Sequence, residues 1–305
     1  MDTTLATLSG QFAALAEQAA PSVVAVNARR RSHSSGVHWR QDLVVTAEHS
    51  VRRDEAITVL PAGGAALEAT LLGRDPGTDL ALLKVDGLSV PPAATGTGPS
   101  PRVGDITLVI GRSPNSGPNA SMGIISAVSG PWRTWRGGNV DAYIRLGATV
   151  FAGSSGGAVI DHRGSVTGIA TSALSRVAGL SIPASTVNRV VDELLAHGVI
   201  PQAYLGVGLQ PVPVPASFRS RLSIPNTEGI MVLEVEQGGP ADRSGILVGD
   251  IVFAIEGKGV TSVEEVQSLI GAKKGGKTVA ARVIRGGELK EITLTIGERT
   301  RETGR

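Results

Sequence analysis

The period of the apolar positions changes several times along the chain, and each change marks a new element. Leu5, Leu8, Phe12, Leu15 and Ala19 recur at helical spacing until Pro21, which predicts one amphipathic helix over Leu5 to Ala20. Short β-branched runs separated by turn residues follow: Val23 to Val26, Leu43 to Thr46, Ile57 to Leu60, Leu67 to Leu71, Leu80 to Val85 and Ile106 to Ile110. Met122 to Val128, Ala142 to Leu146, Ala158 to Ile160, Val166 to Thr171 and Gly179 to Ile182 roughly double the strand count. Runs this short, punctuated this often, predict all-β architecture, and two small barrels fit the number.

From Pro183 to His197 the pattern turns helical, with Val187, Val190, Val191, Leu194 and Leu195 on one face, closed by Gly198 and Pro201. A domain boundary is expected there. Beyond it the pattern predicts strands at Leu205 to Leu209, Ile230 to Val235 and Ile251 to Ile255, a helix over Ser262 to Ile270, then strands at Thr278 to Ile284 and Leu289 to Ile296. The run Pro211-Val212-Pro213-Val214-Pro215 reads as a loop inside this α+β module. The expected division is an N-terminal helical segment (1–20), a β domain (21–198) and a second domain (199–305).

Composition narrows the function classes. A 41% hydrophobic and 18% charged chain is an ordinary globular one, and with aromatics at 3% its cores are built from Val, Ile, Leu and Ala. A net charge of +2 gives no polyanion signal, so no nucleic-acid partner is expected. Arg29-Arg30-Arg31 and Trp132-Arg133-Thr134-Trp135-Arg136 are the densest basic patches and read as solvated loops. The absence of cysteine excludes disulfides, thiolate metal sites and thiol catalysis. His33, His38, His162 and His197 share no ligand spacing with carboxylates, so no metal is expected. No apolar run long enough for a membrane segment occurs, and Met1-Asp2-Thr3-Thr4 lacks the basic start of a signal peptide. Gly271-Ala272-Lys273-Lys274-Gly275-Gly276-Lys277-Thr278 satisfies a phosphate-loop string, but a helix precedes it and a strand follows, the reverse of what phosphate binding needs.

Candidate chemistry centres on Gly153-Ser154-Ser155-Gly156-Gly157. Flanking glycines permit a tight turn and close approach of a substrate carbonyl, making Ser155 a nucleophile candidate, although such a tract alone is more often a loop. A serine hydroxyl needs a base and a third group to orient that base. His49 stands just past the apolar run Leu43-Val44-Val45-Thr46-Ala47-Glu48; the alternative is a surface turn histidine. Asp79 ends the turn Asp75-Pro76-Gly77-Thr78 before Leu80-Ala81-Leu82-Leu83-Lys84-Val85, where burial would make it costly without a partner. The order His49, Asp79, Ser155 is that of chymotrypsin-like peptidases.

These segments, with Ser181-Ile182-Pro183 and Tyr204-Leu205-Gly206-Val207, resemble the HtrA/Deg family of serine proteases over roughly residues 20 to 298. The fold this resemblance implies is mainly β, a chymotrypsin-like double β-barrel followed by an α+β PDZ domain. The resemblance makes His49 the base, Asp79 its orienting acid and Ser155 the nucleophile. Backbone N–H groups of Gly153, Ser154 and Ser155 make up the oxyanion hole, with Gly153 and Ser155 the donors. In the PDZ domain Leu205, Gly206 and Val207, led in by Tyr204, would hold a peptide carboxylate. Val266, Leu269 and Ile270 form either the pocket for the last side chain or a core-facing stripe. The activity implied is an ATP-independent endopeptidase of protein quality control in the periplasm or cell envelope. It would cut unfolded or damaged proteins, take C-terminal peptides at the PDZ domain, need no cofactor, and assemble as a homotrimer or larger homo-oligomer to which the helix with Phe12 and Leu15 contributes. The alternative is a catalytically silent peptide-binding scaffold or chaperone with a blocked protease cleft.

Departures from the family pattern point to differences in the cleft. Glu48 beside the base either raises the His49 pKa or, the preferred reading, points to solvent. Ser50 stands for a Val, Ala158 for a Pro, and Leu146-Gly147-Ala148-Thr149-Val150-Phe151 for a more polar approach. Uncharged Ser154 excludes a salt bridge to a newly cut N-terminus, leaving loop rearrangement as the expected control.

Overall fold

The computed structural model describes residues 3–29, 32–96, 100–198, 202–271 and 276–299. Arg30 and Arg31 of the basic run, residues 199–201 of the connection and 272–275 of the phosphate-loop string lie outside the described residues. The chain divides into two compact units, Met1–Ile200 and Pro201–Arg305.

In the first unit helix α1 (Thr3–Ala19) leads through a short turn containing Pro21 into a closed barrel. Its strands are β1 (Val23–Asn27), β2 (Ser34–Arg40), β3 (Leu43–Ala47), β4 (Ile57–Leu60), β5 (Leu67–Asp75) and β6 (Leu80–Lys84), in the order β1-β2-β3-β6-β5-β4. A second closed barrel is made from β7 (Ile106–Ser113), β8 (Gly117–Ser129), then β11 to β14 after a small lobe of two strands, β9 (Trp132–Arg133) and β10 (Asn139–Val140). Its remaining strands are β11 (Tyr143–Leu146), β12 (Ala158–Ile160), β13 (Val166–Thr171) and β14 (Leu180–Pro183), and helix α2 (Ala184–His197) ends the unit. The expected barrels and both helices are therefore present. Val24, Val26, Val44, Ile57 and Leu83 fill the first barrel, and Val109, Ile125, Leu146 and Val159 fill the second. A larger cluster joins them, with Val37, Leu82, Ile110 and Ile169 meeting Val187, Val190 and Leu194 of α2. Phe12 and Leu15, half-buried, pack against this cluster, because the helical spacing that makes one apolar face turns it towards the core.

Strand β2, Ser-Ser-Gly-Val-His-Trp-Arg, has no apolar alternation, yet Ser34 to Trp39 are all buried between β1 and β3. A Cβ on Gly36 would lie 2.7 Å from Val44 Cγ1, so a small residue there lets neighbouring side chains close over the strand.

The second unit holds the five-strand path β16 (Val207–Pro213), β17 (Glu228–Val235), β18 (Ile251–Ile255), β20 (Thr278–Arg285) and β21 (Glu288–Thr295), with β19 (Lys258–Gly259) paired to β18. β15 (Gln202–Tyr204) pairs with β22 (Gly297–Arg299), and helices α3 (Ala216–Leu222), α4 (Pro240–Arg243) and α5 (Val263–Gly271) complete it. The proline run corrects the sequence reading: Pro211 and Pro213 are the end of β16, opposite Ile230 and Glu228. β16 is an edge strand, and residues two apart face the same way, so both missing N–H groups fall on the unpaired side where no ladder bond is lost.

Asp250, 1% exposed, receives Arg285 through both carboxylate oxygens at 2.8 and 2.7 Å and the Leu247 N–H at 2.9 Å. Burial pushes its carboxyl up, but these bonds outweigh it and hold it below the usual carboxylate value. A depressed folded value means the stabilisation is complete above about pH 4, the unfolded value, and is lost as pH falls through the folded one. Asp250→Asn is expected to destabilise the second unit by about 2–4 kcal/mol at pH 7, with the gap to wild type narrowing near pH 3. Urea unfolding at the two pH values measures this, and an undiminished gap at pH 3 would contradict it.

Candidate active site

The segments carrying the three expected residues come together where the barrels meet. His49 sits in a single 3₁₀ turn, Glu48–Ser50, directly after β3. Arg29 braces this turn from behind, donating from Nη2 to His49 O at 2.8 Å and from Nε to Ser50 O at 3.0 Å. Arg29, read as part of a solvated basic run, is thus engaged with the base turn.

Asp79 is fully buried. Its carboxylate lies 2.8 and 3.0 Å from His49 Nδ1, accepts the His49 N–H at 2.9 Å, and accepts the Thr171 hydroxyl from the end of β13 at 2.5 Å. The Glu48 N–H donates to Asp79 O at 3.0 Å, so main chain and side chain grip the same residue. Asp79 has φ +61°, a left-handed conformation that Asp tolerates better than most side chains. With a carboxylate facing Nδ1, that nitrogen carries the proton and Nε2 is left as the acceptor. Thr171, which the sequence reading passed over, completes the acid's shell.

Ser155 lies in the turn between β11 and β12. The Ser154 N–H donates to Phe151 O at 2.9 Å, closing a β-turn with Gly153 in third position at φ +88°, as a type II turn requires. A Cβ at Gly156 would lie 2.2 Å from Ser35 O, so only glycine lets the two chains pass. Among the described residues neither the Gly153 nor the Ser155 N–H has an acceptor, whereas Ser154, expected beside them in the donor set, has its N–H engaged with Phe151. The Ser154 side chain donates to Asn119 Oδ1 at 2.8 Å, away from the nucleophile. Ser35 holds the turn in place: its hydroxyl donates to Gly153 O at 2.7 Å and accepts the Arg112 N–H at 2.9 Å, while its N–H reaches Ser155 O at 3.1 Å. This residue too was missed, because Ser in an unpatterned stretch gives no signal of its own.

Ser155 Oγ lies 3.0 Å from Ser172 Oγ, and His49 Nε2 lies 3.4 Å from Ser50 Oγ. No hydrogen bond joins Ser155 Oγ to His49 Nε2 among the described residues. The approach segment is anchored to β8: Gly147 N–H donates to Ile124 O at 2.7 Å and Thr149 N–H to Ser121 Oγ at 2.9 Å. Leu146 and Ala148 point into the barrel core, Val150 packs over Gly179, and Phe151 is 54% exposed.

Glu48 does not point to solvent. It is mostly buried between Arg136 (3.5 Å) and Arg74 (3.8 Å), and burial foremost, helped by Asp79, pushes its carboxyl up against the pull of the arginines. Arg136 belongs to the Trp132 to Arg136 stretch, which packs on the acid's turn: Thr134 is buried and donates to Gly77 O at 2.6 Å. Trp132 meets Tyr143 edge-on at 5.4 Å, and only Trp135 keeps the solvated character the sequence suggested.

In the second unit Leu205 and Gly206 stand between β15 and β16. Leu205 O accepts from Ala241 and Gly206 O from Glu236, while the N–H groups of Leu205 and Gly206 have no acceptor among the described residues. Gly206 has φ +74°. Val207 opens β16 and, with Leu205, Leu209 and Val266, lines a wholly apolar hollow; Tyr204 ends β15. Val266 and Ile270 are both buried in the core of this unit, with Leu269 packed against it. Among the described residues no cluster of His, Asp or Glu could hold a metal ion.

Two closed six-stranded barrels with His, Asp and Ser at their junction define the trypsin-like class of serine peptidase. Residues 34–169 match the family model described as a trypsin-like peptidase domain, and residues 203–296 the model for a PDZ domain. The chain is 33% identical over 276 residues to the "Probable periplasmic serine endoprotease DegP-like" of Rhizobium meliloti (strain 1021), covering 88% of this chain and 54% of that protein. It therefore spans about half the length of that curated relative. The crystal structure of the serine endoprotease from Yersinia pestis superposes with a TM-score of 0.73 at 30% identity, covering 95% of this chain and 98% of that one. The structure titled "HtrA-type protease AlgW with decapeptide" gives 0.73 at 27% identity, covering 95% and 99%. The chain belongs to the HtrA family of serine endoproteases.

Loss of the Ser35 hydroxyl leaves the Gly153 carbonyl and Arg112 N–H without their buried partner and frees the turn that presents both open donors. Ser35→Ala is expected to lower kcat on a fluorogenic peptide about tenfold with KM little changed, short of the hundredfold cost of deleting a donor outright. An unchanged kcat would remove Ser35 from the site.

Proposed function

We propose that this chain is an ATP-independent serine endopeptidase that cuts unfolded or damaged proteins in the periplasm or cell envelope, with its PDZ unit taking peptide C-termini. The observation that carries the reading is the buried Asp79 carboxylate fixed on His49 Nδ1 beside a turn whose Gly153 and Ser155 N–H groups are open. In that mechanism Ser155 Oγ attacks the peptide carbonyl as its proton passes to His49 Nε2. The two N–H groups receive the developing oxyanion, and the imidazolium, stabilised by Asp79, returns the proton to the leaving amine. Water then repeats the sequence on the acyl-enzyme. The relatives' printed names supply the endoprotease activity and the periplasmic setting, and the decapeptide of the solved neighbour supports peptide binding. The expected homotrimer or larger assembly belongs to the same reading.

The silent-scaffold reading has one observation in its favour: Ser155 Oγ is bonded to Ser172 and not to His49. Casein hydrolysis separates the two. Cleavage by wild type that disappears in Ser155→Ala is the expected result, and equal inertness of both would establish the scaffold. A peptide with a free C-terminal carboxylate is further expected to raise the rate severalfold over its amidated form, because Leu205 and Gly206 offer N–H donors to an anion. Equal rates with both peptides would sever the PDZ unit from control of the cleft.

A further inference from the structure

Proton transfer needs Ser155 Oγ within a hydrogen bond of His49 Nε2, and each of these atoms has another partner. Ser155 Oγ pairs with Ser172 Oγ at 3.0 Å. Nε2, the acceptor left once Nδ1 donates to Asp79, faces Ser50 Oγ at 3.4 Å, and Ser50 Oγ in turn accepts from Arg29 Nη2 at 3.2 Å. Ser172 directly follows β13, one residue past Thr171, whose hydroxyl is fixed on Asp79 and also accepts the Ala173 N–H at 3.0 Å. The main chain on both sides of Ser172 is thereby tied to the most deeply buried group of the site, while its own side chain is exposed and bonded to Ser155.

A hydroxyl has one proton to give. If Ser155 donates to Ser172 it cannot donate to His49. If it accepts from Ser172, its oxygen is still held in the rotamer that faces β13. We propose that Ser172 is a positioning residue that holds the Ser155 hydroxyl off the base at rest, so that rotation of Ser155 from Ser172 to His49 Nε2 precedes attack. This rests on Ser155 being the nucleophile, as proposed above. Ser172 then sets the fraction of molecules ready to react without its own side chain bonding to His49 or Asp79.

The test compares the full chain as wild type, Ser172→Ala, Ser172→Thr and Ser155→Ala, reading the rate of acylation by a fluorophosphonate probe and the kcat and KM of peptide hydrolysis. One neutral hydrogen bond between hydroxyls corresponds to a population shift of about three- to tenfold. Ser172→Ala should be acylated faster by that factor, with kcat raised, KM unchanged and the melting temperature unaltered, since the residue is exposed. Ser172→Thr keeps the hydroxyl and should return the rate to that of wild type. A Ser172→Ala rate equal to or below wild type, or a Ser172→Thr rate matching Ser172→Ala, overturns the proposal. Ser155→Ala should not label at all; if it does, the nucleophile assignment fails whatever Ser172 does. Inertness of both wild type and Ser172→Ala overturns the proposal together with the enzymatic reading.

Discussion

A buried carboxylate without partners is costly, and the site is built around avoiding that cost at Asp79. Its oxygens accept from His49 Nδ1, the His49 main chain and Thr171 Oγ1. These donors come from both barrels, since His49 follows β3 of the first and Thr171 ends β13 of the second. Satisfying one charge therefore pins the seam between two hydrophobic bodies at a defined register, alongside the shared apolar cluster and the Ser35 and Thr134 bonds that also cross it. The His49 ring is oriented as a by-product of closing that seam, with Nδ1 held on the carboxylate.

The Ser155 side follows a different logic. Nothing charged holds Ser155; its turn is shaped by a left-handed Gly153, by Gly156 passing under Ser35 O, and by the Ser35 hydroxyl bridging Gly153 and Arg112. Neutral hydrogen bonds of this kind are individually weaker than the charge-assisted ones gathered on Asp79. Glu48 ties a third segment to the His49 side. Its pairing with Arg136 sets the Trp132 to Arg136 lobe against the turn that carries His49.

Much of this was legible in the chain because the barrels are made of short β-branched runs set between turn residues, many of them buried along nearly their whole length. His49 and Asp79 stood out by lying at the ends of apolar strands, where a core edge aims a side chain. β2 did not, because it is buried by its neighbours on both faces and carries serines, a glycine and a histidine where alternation would be sought. Pro211 and Pro213 misled for the opposite reason: a proline signals a loop unless one knows which side of the strand is free. Ser35, Thr171 and Ser172 were invisible individually, since each matters through a partner far away in sequence. Glu48 was misjudged because its arginines lie in segments that only folding brings beside it.

The two prolines of β16 also set a length scale. Along the open edge of that strand the N–H groups available to an added chain alternate, and the alternation that begins at Val207 and Leu209 runs into Pro211 and Pro213. A visiting strand can therefore zip for about two rungs and then finds no further donor. An edge interrupted in this way cannot template a long added strand, whatever the length of chain that meets it.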